Sequence, residues 1–241
     1  MSEENSEEFI DLFNEVEQFL QNKSQKNHYQ SFQSLIDEFK HKNSIIDFYY
    51  EELAHIKQVR NVLVHNHEYY AVPNEKSLNT IRKIKKILMS PPTVIKLFAD
   101  EVMTARLEDS LMDTITKMDE RGYTQVPVLN DIKEVVDMLT TNTITRWLGS
   151  LQEESGLYKI KGSTVVSEAL EYGEERLIYE FVAADLSIAT VIKIFNRVQK
   201  SDKKLEGILI TENGQKNEEL LGIITKWDIT RIYDIMENNG S

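Results

Sequence analysis

An internal repeat constrains this chain more than any other feature. Gly222-Ile223-Ile224-Thr225-Lys226-Trp227-Asp228-Ile229 lies over Asp137-Met138-Leu139-Thr140-Thr141-Asn142-Thr143-Ile144 at an offset of 85 positions, and the apolar pair, the threonine and the final isoleucine all match. Upstream, residues 187–195 lie over 110–118 at an offset of 77, so the second copy carries eight extra residues in between, which the longer turn at 212–219 is expected to hold. Around each copy, β-branched runs alternate with helical spacing. Strands are expected at 125–129, 135–139, 179–183, 205–211 and 220–225, and helices at 110–121, 143–148, 187–198 and 228–236. Each copy thus reads strand, helix, strand, strand, helix. A unit that small cannot bury its own apolar face, and two copies solve the problem by packing on one another.

Ahead of the repeats the grammar differs. Phe9, Phe13, Val16 and Leu20 recur at helical spacing, as do Phe32, Leu35, Ile36 and Phe39. One longer helix is expected to carry Ile45, Tyr49, Leu53, Ile56 and Leu63, with Asn43 or Ser44 as its N-cap. A fourth follows Pro73, with Leu78, Ile81, Ile84 and Leu88 inward and Arg82, Lys83, Lys85 and Lys86 near its end. That basic cluster reads either as charge that compensates the helix dipole or as an RNA-facing patch. Ser90-Pro91-Pro92 cannot continue a helix, because proline lacks the N–H and restricts the residue before it. The expected fold is therefore α+β, with a helical bundle over 1–90 and the repeats over 91–241, the first at about 92–150 and the second at about 163–241.

Composition narrows the function. Cysteine is absent, which removes disulfides, iron–sulfur clusters, thiolate zinc sites and cysteine nucleophiles, and no histidine cluster points to a metal. A net charge of −12 opposes a nonspecific nucleic-acid coat. No apolar run approaches the ~20 residues of a membrane span, and the acidic start is the reverse of a signal peptide, so a cytoplasmic location without membrane association is expected.

Val102-Met103-Thr104, Pro127-Val128 and the GIITKWDI element at 222–229 together resemble the CBS (cystathionine-beta-synthase) family over about 145 residues (92 to 236). The resemblance implies a tandem pair of regulatory β-α-β-β-α repeats, often a homodimer, with an adenine nucleotide such as AMP, ADP or ATP as ligand. A strand ending in threonine with an acid three residues on puts a hydroxyl and a carboxylate on one rim, which suits a ribose. By the resemblance Thr225 and Asp228 would hold it, and the strand carrying Phe181 and Ala183 would line the base. Arg231, one turn after Asp228, would reach phosphates, as would its counterpart Arg146. The bland alternative is that Thr225 ends a strand and Asp228 caps a helix, and the two roles can coexist. In the first copy Asp137 replaces the glycine and Thr143 the aspartate, so one ligand site per chain is expected, in the second copy.

Arg60, Asn61 and His65 lie on the third helix, the last two one turn apart on one face. This arrangement resembles the HEPN family of helical bundles over roughly residues 6 to 90. The resemblance implies either a noncatalytic bundle or a metal-independent ribonuclease. In the latter, His65 would move the proton of a 2′-hydroxyl, Arg60 would stabilise the phosphorane and Asn61 would orient it. Three readings stand at this stage: a nucleotide sensor that modulates the helical domain or a partner, a nucleotide-gated ribonuclease acting on RNA, and a dimerisation scaffold without ligand.

Overall fold

The four apolar stripes ahead of the repeats need partners, and they find them in each other. The structure, a computed structural model, describes residues 2–26, 28–65, 72–99, 101–151, 160–175, 177–200 and 202–238. Its first helices are α1 (Ser2–Lys23), α2 (Phe32–Phe39), α3 (Ser44–Phe48), α4 (Tyr50–His65) and α5 (Glu75–Met89). The helix α6 (Val94–Phe98) precedes the first copy, β1 (Ala105–Arg106), α7 (Leu111–Arg121), β2 (Gln125–Leu129), β3 (Val135–Thr140) and α8 (Thr141–Ser150). The helix α9 (Val166–Leu170) precedes the second copy, β4 (Leu177–Ala183), α10 (Ile188–Gln199), β5 (Lys204–Thr211), β6 (Gly222–Ile224), a 3-10 turn (Lys226–Asp228) and α11 (Ile229–Asn238). Both copies thus show the expected strand, helix, strand, strand, helix order. By compactness the chain divides into two units.

The first unit contains α1 to α5, Ser187–Lys193 and the residues from Thr230 on. Phe9, Phe13, Val16 and Leu20 of α1 are all buried, and α1 packs against α2, α4 and α5. Each such side chain contributes about 1.5–3 kcal/mol by leaving water. Where one long helix is expected over 45–63, the structure has two. Asn43 caps α3, its Oδ1 accepting from the Ile45 and Ile46 amides at 2.9 and 3.2 Å, and the chain leaves helical geometry at Tyr49 (φ −99°, ψ 19°). The break puts the Tyr49 ring in the core with its hydroxyl donating to the Met236 carbonyl of α11. Burial, and then the charges of Glu52 and Glu237, push that phenol far above its ordinary pKa. Further ties within this unit are Thr190 Oγ1 to Ser44 Oγ at 3.1 Å, Lys193 to Asp47 at 2.9 Å, and the Phe48 and Tyr233 rings at 5.9 Å. Two basic residues of α5 face carboxylates and a third reaches a backbone carbonyl. Arg82 Nε donates to Glu8 at 2.6 Å, Lys85 pairs with Glu15, and Lys83 reaches the Glu237 carbonyl at 3.1 Å.

The second unit spans Thr93–Leu186 and Ile194–Ile229. It holds two three-stranded sheets, β1-β2-β3 and β4-β5-β6, each with a parallel first pair and an antiparallel second pair. The sheets share a core in which Val135 and Met138 of β3 meet Leu209 of β5, with Tyr179, Phe181 and Ile223 packed around them. Strand register corrects the expected placement of the eight extra residues. Val128 pairs with Asp137 and Ile210 with Gly222, so the middle strands are 82 apart (210 − 128) and the last strands 85 (222 − 137). Only three extra residues therefore fall between the paired ends of β5 and β6, and the other five precede them, from the end of α10 through the start of β5, which begins at Lys204 although Gly207 is the residue that matches Gln125. The β4–β5 register shifts at this point, between Ile178 and Tyr179.

The short helix ahead of each copy bonds to the other copy. Val166 and Ser167 donate to the Asp109 and Leu107 carbonyls at 3.0 and 2.9 Å, and Val94 and Ile95 donate to the Leu186 and Ala184 carbonyls at 2.8 and 3.2 Å. On the second copy the fit admits no side chain, since a Cβ on Gly222 would stand 2.1 Å from the Phe98 carbonyl oxygen. The β5–β6 turn is equally tight. Gly214 (φ +77°) lies against Ala183, where a Cβ would come within 2.9 Å of the Ala183 nitrogen. Glu218 closes that turn, accepting from Asn213 N and Gln215 N on Oε2 at 2.7 and 3.1 Å and from Asn213 Nδ2 on Oε1 at 2.7 Å. The Asn213 side chain and backbone donors hold this carboxyl down at about 2.

Gly222→Ala is expected to lower stability by about 1–3 kcal/mol in urea unfolding, because backbone rather than a yielding side chain blocks the methyl. A variant as stable as wild type would contradict the close approach. Because the folded-state pKa of Glu218 is depressed, its contribution is full above the ordinary carboxylate range and is lost as pH falls through about 2. Thermal melts from pH 6 to low pH are therefore expected to show a smaller acid-induced loss for Glu218→Gln than for wild type, and identical pH dependence would contradict the assigned role.

Candidate ligand-binding site

In the second copy, the strand β6 ends at Thr225, whose extended backbone (φ −114°, ψ 173°) makes it the N-cap of the 3-10 turn. Its Oγ1 accepts from the Trp227 amide at 3.3 Å, while its own N–H and hydroxyl both donate to Asp228 Oδ2, at 2.7 and 2.9 Å. This is a capping box, so the bland reading of the pair is part of the structure. The box also fixes the carboxylate. Two donors on Oδ2 hold Asp228 in one orientation at a rim where both side chains are half-buried. Trp227, between them, is 71% exposed, an aromatic beside a polar rim to which the sequence reading gave no role.

The first copy repeats the cap but not the access. Thr140 Oγ1 accepts from the Thr143 amide at 3.1 Å and shares a hydrogen bond with the Thr143 hydroxyl at 3.0 Å. Thr140 is 3% exposed and Thr143 1%. Two hydroxyls that satisfy each other inside the protein offer nothing to a ligand, and no carboxylate stands in the Asp228 position. Asp137, where the second copy has glycine, turns its Oδ1 to the neighbouring Met138 amide at 2.7 Å.

The other sequence-derived residues fall in different places. Phe181 packs with Tyr179 in the core shared by the sheets, their rings edge-on at 5.9 Å, and the Tyr179 hydroxyl donates to the Val136 carbonyl at 3.2 Å. Ala183 ends β4, half-buried, bridged to Asn213 under the Glu218-held turn. Arg231 is exposed on α11. In the helical unit, Arg60 is half-buried with its guanidinium 5.6 Å from the centre of the Phe13 ring, and Asn61 is exposed. His65 closes α4, but its side chain lies outside the described residues.

A cavity of about 170 Å³ opens between the β2–β3 and β5–β6 turns, lined by Ile132, Lys133, Glu134, Asn217, Glu218 and Glu219. It is smaller than the ~300 Å³ at which ligand pockets begin, and three carboxylates against one lysine oppose a phosphate. The cavity therefore does not suit the phosphates of a nucleotide. Among the described residues, no group of three or more histidines and acids is placed to hold a metal ion, and no helix is long and apolar enough to cross a membrane.

Comparison with known proteins sets this geometry in context. No curated protein matches the chain. Among solved structures, the CBS domain pair of protein MJ0100 in complex with 5′-methylthioadenosine and S-adenosyl-L-methionine is similar at 15% identity, over 59% of this chain and 96% of that one, with a TM-score of 0.42. CBSX2 in complex with AMP is similar at 15% identity, over 61% and 98% of the two chains, with a TM-score of 0.43. A conserved CBS domain protein from Thermoplasma acidophilum, TA0289, is similar at 15% identity, over 62% and 76%, with a TM-score of 0.41. The family model of the CBS domain matches residues 84–150 and 178–235. With more than half of its length matched in two copies, the chain belongs to the CBS domain family.

Proposed function

We propose that this is a regulatory protein whose second CBS repeat binds an adenine nucleotide at Thr225 and Asp228 and that binding modulates the helical unit or a partner. The observation that carries the reading is the contrast between the two rims. At Thr225 and Asp228 a carboxylate is held in place by two donors and remains reachable, whereas Thr140 and Thr143 are buried against each other. A fixed carboxylate accepts from both ribose hydroxyls without having to be ordered on binding, which lowers the entropic cost. AMP, ADP, ATP and related adenosyl compounds all present that ribose. Ala183 and Phe181 are assigned to the base side of the site, and Arg231 to the phosphates.

Signalling requires more than binding, because a ligand shifts an equilibrium only by its differential affinity for two states. Chain continuity supports such a coupling. Asp228 runs directly into α11, and the residues of α11 from Thr230 on are counted with the helical unit, where Met236 accepts from the buried Tyr49. A change in the cap at Asp228 is therefore a change at the first turn of a helix whose far end sits in the helical core.

The test is a thermal-shift screen of wild type and Asp228→Ala against adenine and guanine nucleotides. A native-state ligand at 100 times its dissociation constant adds ~2.7 kcal/mol. Stabilisation by an adenine compound that the variant loses is expected. No shift with any compound, or equal shifts for the two proteins, would contradict the assignment.

A further inference from the structure

The corner of the first repeat that corresponds to the ligand rim of the second is already occupied by an anion from the protein itself. Asn142 stands at the position matching Trp227, and its Nδ2 donates to Glu174 Oε1. The other carboxylate oxygen of Glu174 pairs with Lys204 Nζ at 3.0 Å. Arg146 Nη1, one turn along α8 from Asn142, donates to the carbonyl of the adjacent Gly173 at 3.3 Å. The Lys204 ammonium first, then the Asn142 amide and the Arg146 charge, keep the Glu174 carboxyl below its ordinary pKa against a desolvation effect that opposes them.

Three features separate this cluster from an ordinary surface ion pair. The donors converge from α8 and the start of β5 on one carboxylate, although Glu174 belongs to neither element. The anion is covered and its cation is not, the Glu174 side chain being 15% exposed and that of Lys204 56%. An ammonium, a guanidinium and an amide donor gathered at one corner are also the groups that recognise a phosphate oxygen. Thr143, in the position of Asp228, fits the same picture, since an acid beside Asn142 would repel Glu174, whereas Thr143 turns inward to Thr140.

We propose that Glu174 is a built-in ligand, occupying in cis the anion-recognising corner formed by Asn142, Arg146 and Lys204 in the first repeat, and that an oligophosphate enters this corner only by displacing it. The first repeat is then a second, closed anion site rather than a site lost. Inorganic pyrophosphate, which has neither base nor ribose, probes this corner independently of whether the second repeat takes a nucleotide.

The experiment is a titration of pyrophosphate into the full chain, followed by phosphorus NMR line broadening, for wild type, Glu174→Ala, Glu174→Gln and Glu174→Ala combined with Lys204→Met. Removal of the carboxylate is expected to tighten pyrophosphate binding by roughly tenfold or more, and the added Lys204→Met to abolish that gain. Equal binding by wild type and a folded Glu174→Ala, or a gain that survives Lys204→Met, would overturn the proposal. If circular dichroism shows Glu174→Ala to be unfolded, Glu174→Gln, which keeps the side-chain shape and frees Lys204, decides by the same comparison.

Discussion

Each repeat is fastened by a helix that belongs, in sequence, to the other. A three-stranded sheet offers two faces and has too few elements of its own to cover them. Here α9 donates backbone hydrogen bonds to the start of the first copy, and α6 to the second. The approach is so close at Gly222 that the Phe98 carbonyl fills the space a side chain would need. With Val135, Met138 and Leu209 shared between the sheets, neither copy has a complete core alone. Neither sheet is covered by its own copy's elements alone, which is the physical reason the two copies pack together.

The two copies nevertheless differ at their rims. Both copies end their last strand in a threonine that caps the next helical turn, yet Thr140 and Thr143 are buried while Thr225 and Asp228 stay reachable. A glycine at 222 lets α6 close down on β6, and Asp137 in its place on the first copy occupies itself with its own neighbouring amide. The two rims differ in Gly222 against Asp137, Trp227 against Asn142 and Asp228 against Thr143, and only the second keeps a reachable carboxylate held by two donors.

Much of this was legible in the sequence, where the signal is local. Strands 125–129 and the helix start at Ser110 follow from period and cap chemistry, and Ser110 does accept from the Asp113 amide. The Thr225–Asp228 cap was readable for the same reason, since both partners lie within one turn. The break at Tyr49 was not, because the apolar stripe runs through it without interruption and the partner of the Tyr49 hydroxyl, the Met236 carbonyl, lies far along the chain. The helices α6 and α9, five residues each, are too short to show a period. The division of the eight extra residues is fixed by strand register and could not be read from length. Glu174 gave no signal at all, because its donors Asn142 and Lys204 are each about thirty positions away.

Engagement of the Thr225–Asp228 rim by an adenine nucleotide, and its effect along α11, are read together by hydrogen–deuterium exchange on the full chain, with and without AMP, ADP and ATP in turn. Slower exchange at 222–228 with at least one of the three, extending through 229–238, is expected. Unchanged exchange at 222–228 with all three, or protection confined to the acidic cavity between the β2–β3 and β5–β6 turns, would contradict the assignment of the rim.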